Sequence, residues 1–283
     1  MDWLKEVKHE YILTNGVKLH TAMIGSGAPL ILLHGFPDFW FGWAPIIPEL
    51  RKSYRLIIPD LRGYNLSDKP QGKENYLLDI LVEDLKGLSE KLNLKKFYLG
   101  AQDWGAVIAW AFTEKYPEMV KKLATLNGPH PKIFQYNLRT NKEQQKASFY
   151  IFEFLKPQGE KFLLTDNFKA LKAAVFGAAK NKDAFDEFTK QKYLEAWSQT
   201  DAIVSGVNYY RANVNFDKLT GIINVPTLVI HGMQDQAVLP QNLNGLSEYV
   251  KDLKVQRVEN ASHWVIHDKP EVIISNFKKF FRD

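Results

Sequence analysis

The sequence predicts an α/β protein built on a mostly parallel sheet with helices on both faces. Three observations carry that expectation. Short apolar runs alternate with helix-like stretches over residues 1–130 and again toward the C-terminus, the rhythm of strand–helix–strand units. Residues 97–112 read as strand, sharp turn and helix, with Gly100 before and Gly105 after a central Asp103. The chemically interesting polar residues fall at the ends of apolar runs, where parallel sheets place their function.

The elements follow in order. Val7–Leu13 and Val17–Ile24 flank Asn15-Gly16, a tight hairpin signal. Pro29–Leu33 and Tyr54–Ile58 are short apolar runs of the buried parallel type. Leu78, Leu81, Leu85, Leu88 and Leu92 recur at helical spacing and give one apolar face. Phe97–Leu99 and Leu123–Leu126 supply further strands. From about 131 to 215 no buried-strand run is visible, and Lys, Phe, Tyr and Ala dominate. That stretch predicts a helical insertion, with Phe185, Phe188, Leu194 and Trp197 on one helix face. Strands return at Val225–Ile230 and Lys254–Val258, and a last helix starts near Pro270. The expected organisation is 1–130 core, 131–215 helical cap, and 216–283 core.

Composition narrows the function. The chain has 283 residues and 45% hydrophobic content, enough for one sizeable core. Cysteine is absent, which excludes a disulfide framework, a thiol nucleophile and a thiolate metal site. The start of the chain does not read as a signal peptide, and no apolar run reaches membrane-spanning length. A cytoplasmic protein with no membrane partner is expected. The net charge is +5, with lysines scattered rather than blocked, so no nucleic-acid surface is expected. No His, Asp or Glu spacing suggests a metal.

Asp103 carries the chemistry. A turn of this kind lifts its central residue above the sheet as an attacking group. A carboxylate nucleophile forms an alkyl ester, which suits attack on saturated carbon. An Asp here could equally be an ordinary helix cap, so the partners decide. Hydrolysing an ester needs a base, an acid to orient it, and fixed donors for the oxyanion. His263 follows the last strand and suits the base. Asp235 follows the preceding strand and suits the orienting acid. The backbone amides of Phe36 and Trp104 suit the oxyanion hole. The chain order of nucleophile, acid and histidine is that of the α/β-hydrolases.

Several stretches together resemble the α/β-hydrolase-fold epoxide hydrolases. They are His34-Gly35-Phe36-Pro37, Asp60-Leu61-Arg62-Gly63-Tyr64, Asp103-Trp104-Gly105 and Ala261-Ser262-His263-Trp264. The resemblance covers nearly the whole chain. It implies an eight-stranded sheet with an inserted helical cap, and two cap tyrosines aimed at the nucleophile. Tyr150 to Pro157 fits the first tyrosine's Tyr-x-x-x-Phe-x-x-Pro stretch, and Asn208-Tyr209-Tyr210-Arg211 fits the second. This assigns Tyr150 and Tyr210, not Tyr209, as acids and substrate-binding groups beside Phe36 and Trp104.

The implied reaction adds water to a small apolar epoxide through an ester on Asp103 and gives a vicinal diol. No cofactor is implied, and monomer and homodimer both stay open. Gln102 stands where the family often has His, and Ala106 where it often has Gly. The alternative is a haloalkane dehalogenase with the same nucleophile and base. Its leaving halide needs N–H donors, and Phe36 stands where one dehalogenase group has Asn. A non-catalytic member of the fold would lack one of the three groups. A serine esterase would need Ser at 103.

Overall fold

The computed structural model describes residues 2–282. Eight strands form one sheet: β1 (Lys8–Thr14), β2 (Val17–Ile24), β3 (Ala28–Leu33), β4 (Tyr54–Pro59), β5 (Phe97–Gln102), β6 (Val120–Leu126), β7 (Thr227–Gly232) and β8 (Leu253–Val258). Their order is β1-β2-β4-β3-β5-β6-β7-β8. Pairs β1/β2 and β2/β4 are antiparallel, and every later pair is parallel.

The β1–β2 turn uses Asn15 and Gly16, both at positive φ (45° and 78°), as a two-residue hairpin whose twist matches its strands requires. Asn15 is also tied into the core. Its Nδ2 donates to Asp84 Oδ1 at 2.8 Å, and its carbonyl accepts from Arg62 at 3.1 Å. Arg62 grips Asp84 with two bonds of 2.7 Å.

The central strands are buried on both faces, which is why they read as unbroken apolar runs. Leu30, Ile31, Leu32, Leu33, Phe97 and Leu99 have no solvent exposure. The Leu78–Lys91 helix buries Leu78, Leu81, Leu85 and Leu88. The Trp104–Lys115 helix is apolar all round and buried over Trp104–Thr113. The final helix, Pro270–Phe280, packs through Ile273, Phe277 and Phe280.

Between β6 and β7 the chain is helical. Its longer helices are Pro131–Thr140, Phe149–Leu155, Glu187–Trp197 and Ala202–Ala212. Phe185 is not on the helix expected for it. Asp186 caps that helix by accepting from the Thr189 amide at 2.8 Å, so Phe185 lies just outside. Phe188 is 45% exposed while Trp197 is buried.

The helical layer is fastened to the core by buried polar bonds. Trp197 Nε1 donates to the Pro37 carbonyl at 2.7 Å, and Tyr209 Oη to the Arg62 carbonyl at 2.6 Å. Asp268 accepts from the Lys180 and Asn181 amides at 2.7 and 3.0 Å. Burial without such partners would cost more than the bonds return. Among the described residues, no helix is long and apolar enough to cross a membrane.

Candidate active site

Asp103 sits between β5 and the Trp104–Lys115 helix with φ 50° and ψ −123°. A non-glycine residue in this region is strained, and packing must hold it. Two glycines make that packing possible. A Cβ on Gly105 would lie 2.4 Å from the Leu33 and His34 carbonyl oxygens, and one on Gly35 2.2 Å from Asp103 Oδ1. Ala106 is accommodated because residue 128 is Gly: a Cβ there would lie 2.0 Å from that of Ala106.

The carboxylate is held on one side. The Phe36 amide donates to Asp103 Oδ1 at 2.7 Å. Among the described residues, that is the one backbone amide bonded to this carboxylate, and Trp104 contributes none. The loop carrying Phe36 has a cis Phe36-Pro37 bond. His34 anchors it through ring contacts to the Gly35 carbonyl (2.9 Å) and the Leu61 amide (3.0 Å).

The other carboxylate oxygen faces the histidine. His263 Nε2 lies 3.6 Å from Asp103 Oδ2, and His263 Nδ1 lies 2.8 Å from Asp235 Oδ2. Burial pushes the imidazole toward neutrality, but Asp235 and Asp103 outweigh it and raise His263 to about 10. Asp235 is buried, which alone would raise its pKa. The charge and hydrogen bond of His263 and the bond from Asn127 bring it below the ordinary carboxylate value.

Above the carboxylate, Asp103, Trp104, Tyr150 and Tyr210 line a cavity of about 240 Å³ with Val107, Phe134, Leu138, Ile151, Phe152, Leu155, Val214 and Val238. Two polar residues of its wall are already engaged. Gln135 donates to Asp217 at 2.5 Å and accepts from the Phe216 amide at 2.5 Å. Asn213 bonds to Leu78, Tyr76 and Tyr209.

Tyr210 sits in an aromatic box, with ring centroids 5.1 Å from Trp104, 5.7 Å from Phe36 and 6.0 Å from Tyr150. Both phenols are raised from their ordinary pKa, first by burial and then by neighbours that include Asp103. They stay protonated and can donate. Tyr209 points elsewhere, its hydroxyl spent on Arg62. The structure therefore brings Asp103, His263, Asp235, Phe36, Trp104, Tyr150 and Tyr210 around one cavity and its floor.

Two further residues meet this site that were not assigned a role in it from sequence. Asn127 Nδ2 donates to Asp235 Oδ2 at 2.6 Å. Its place after an apolar strand was the available signal. Gln102 Nε2 donates to the His263 carbonyl at 3.0 Å, while its buried Oε1 has no partner. Among the described residues, no group of three or more His, Asp or Glu could hold a metal.

Residues 28–270 match the alpha/beta hydrolase fold family model. The chain is 36% identical to Epoxide hydrolase 1 of Caenorhabditis elegans over 95% of its own length and 69% of that protein's. It is 34% identical to Epoxide hydrolase 4 of Mus musculus over 93% of its own length and 76% of that protein's. A solved epoxide hydrolase from Bacillus megaterium superposes with a TM-score of 0.91 at 38% identity, covering 97% of this chain and 100% of that one. This chain belongs to the alpha/beta hydrolase fold family and is a relative of its epoxide hydrolases.

Proposed function

We propose that this protein is an epoxide hydrolase that converts an apolar epoxide and water into a vicinal diol through an ester on Asp103. One observation carries the reading: a carboxylate and two protonated phenols line one largely apolar cavity. Acid groups opposite a nucleophile suit a leaving oxygen that stays attached to the product and must be protonated. The relatives named above are epoxide hydrolases, and one Bacillus megaterium variant was solved with an aryloxy-propanediol product. We assign residues 131–215 as a cap domain and 1–130 with 216–283 as the catalytic core.

In the first step Asp103 Oδ2 attacks an oxirane carbon, and the C–O bond opposite breaks. Tyr150 and Tyr210 hold the oxygen and supply its proton. The Phe36 amide stays on Oδ1, which becomes the ester carbonyl. Trp104's amide joins it in the second step, when attack on the ester puts negative charge on that oxygen.

Esterification also changes His263. The Asp103 charge is one of the causes of its raised pKa. Neutralising Asp103 removes that support, so the imidazole pKa falls back toward its ordinary value, its proton passes through solvent to the phenolate left by ring opening, and the neutral ring can accept a proton again. His263 Nε2 then takes a proton from water, whose oxygen attacks the ester carbonyl. The ester bond breaks, the leaving diol oxygen takes the remaining proton of the attacking water, and Asp103 returns to a carboxylate.

A single turnover in ¹⁸O-labelled water tests this route. Attack on the ester carbonyl puts the label in the Asp103 carboxylate, and the first diol carries none. Label in the first diol, with Asp103 unlabelled, would mean direct attack of water on the epoxide and would refute the ester.

A further inference from the structure

We propose that Asn127 is a positioning residue for the second half of the reaction, fixing Asp235 and through it the base His263. The inference rests on the epoxide-hydrolase reading above.

Asn127 follows the last residue of β6, is fully buried and has φ 41°. It joins the ends of two strands. Its amide N–H donates to the Ile230 carbonyl at 3.1 Å, and its Oδ1 accepts from the Gly232 amide at 3.1 Å. Both side-chain ends are thus assigned, because Oδ1 faces a donor and Nδ2 an acceptor. That acceptor is Asp235 Oδ2, at 2.6 Å, the same oxygen that meets His263 Nδ1 at 2.8 Å. The other oxygen, Oδ1, accepts from the Ala237 and Val238 amides at 2.8 and 3.0 Å.

Asp235 therefore meets four donors. Two come from its own loop and one is the base itself. Asn127 alone reaches it from the neighbouring strand. Without that bond, the buried carboxylate loses a donor to its charged form and a stop against rotation. The imidazole that depends on it then loses its fixed direction.

The two chemical steps depend on Asn127 differently. Ring opening uses Asp103, Phe36, Tyr150 and Tyr210, and the Asn127 side chain bonds to none of them. Hydrolysis forms the bond from water oxygen to the Asp103 carboxyl carbon, sends one water proton to His263 Nε2 and the other to the diol oxygen, and breaks the ester. That step requires an oriented base.

The test follows both steps by single-turnover kinetics on an epoxide that the wild type turns over, with the alkyl-enzyme read by intact mass. In Asn127→Ala, hydrolysis should fall by about 10- to 100-fold, the loss of one hydrogen bond to a charged group. Alkylation should stay near the wild-type rate, and the ester should accumulate.

Asn127→Asp keeps the volume and the acceptor for Gly232, so it decides the matter if the Ala variant fails to fold. At low pH the new carboxyl is protonated and can donate to Asp235, and hydrolysis approaches the wild-type rate. As pH rises, two carboxylates in contact lose the shared proton. Hydrolysis then falls along a limb that the wild type lacks. The other titratable groups facing Asp235 are His263, His231 and Tyr150. They are common to both proteins, so they do not account for a new limb.

Hydrolysis at the wild-type rate in both variants would overturn the inference alone. So would an equal loss in both steps with no pH dependence relative to wild type, because that is what a merely structural residue gives. A wild type that forms neither ester nor diol from any epoxide would overturn the parent reading, and this inference with it.

Discussion

The floor and the roof of the cavity are built differently. The floor is backbone. Asp103 is held by its own left-handed turn, by glycines at 35 and 105, and by the Phe36 amide. The roof is side chains on separate helices, with Tyr150 on Phe149–Leu155 and Tyr210 on Ala202–Ala212. Burial follows the same division. The strands under Asp103 have no exposed residue, whereas Phe149, Phe152 and Leu155 on the roof are 61%, 48% and 40% exposed. A floor of this kind sets which atom reacts, and a roof of this kind sets what reaches it.

Four substitutions or conditions press on that division, in falling order of effect. Asp103→Asn removes the attacking charge and keeps the fold. Diol formation should drop by at least about 10⁴-fold, as for other single losses of a nucleophilic unit. Product assays with deamidation excluded by mass check it; full steady activity would refute the role of the floor.

Tyr150→Phe with Tyr210→Phe leaves the floor intact and removes both acids from the roof. Alkylation should slow by about 10²- to 10⁴-fold, the usual worth of general acid catalysis. Rapid-quench measurement of ester formation reads it directly. An unchanged rate would leave the phenols without a catalytic part.

The third concerns pH. His263 is raised to about 10 in the folded protein, above its unfolded value. The stability it contributes is fully present below about pH 6.5 and is lost as pH rises through 10. Thermal unfolding from pH 6 to 10 should show Tm falling in the wild type. The fall should be smaller in His263→Gln, and parallel curves would show that His263 adds nothing to stability.

The smallest effect belongs to the outer roof. Phe152 lines the cavity yet is 48% exposed. Phe152→Ala should change stability by no more than about 0.5 kcal/mol, as at exposed sites generally. KM should shift for bulky epoxides and hold for small ones. A uniform loss of kcat across substrates would place Phe152 with the machinery instead.

The division also explains what could be read from the chain. Leu30–Leu33 and Phe97–Leu99 announce themselves because a strand buried on both faces needs apolar residues throughout. Asn15-Gly16 does so because both residues take positive φ. Asp103 stands out because a carboxylate there departs from the more familiar serine.

Asn127 was less visible. A single Asn after a strand looks like a turn, and its role depends on a loop 108 residues away in sequence. The tight contacts at Gly35 and Gly128 are likewise long-range. On the roof, helical spacing placed Phe185 on a helix, but the Asp186 cap starts that helix at Glu187, two residues past it. Local periodicity does not set where a short helix begins, and caps and tertiary contacts decide it.

The central claim is that Asp103 becomes an ester of the opened epoxide. The most direct measurement is the intact mass of His263→Gln after exposure to a panel of epoxides and haloalkanes. With the base removed, the ester should persist. A gain equal to one whole epoxide, mapped to Asp103, is the predicted result. A folded variant that gains no mass from any epoxide, or gains only the mass of a haloalkane less hydrogen halide, would contradict it.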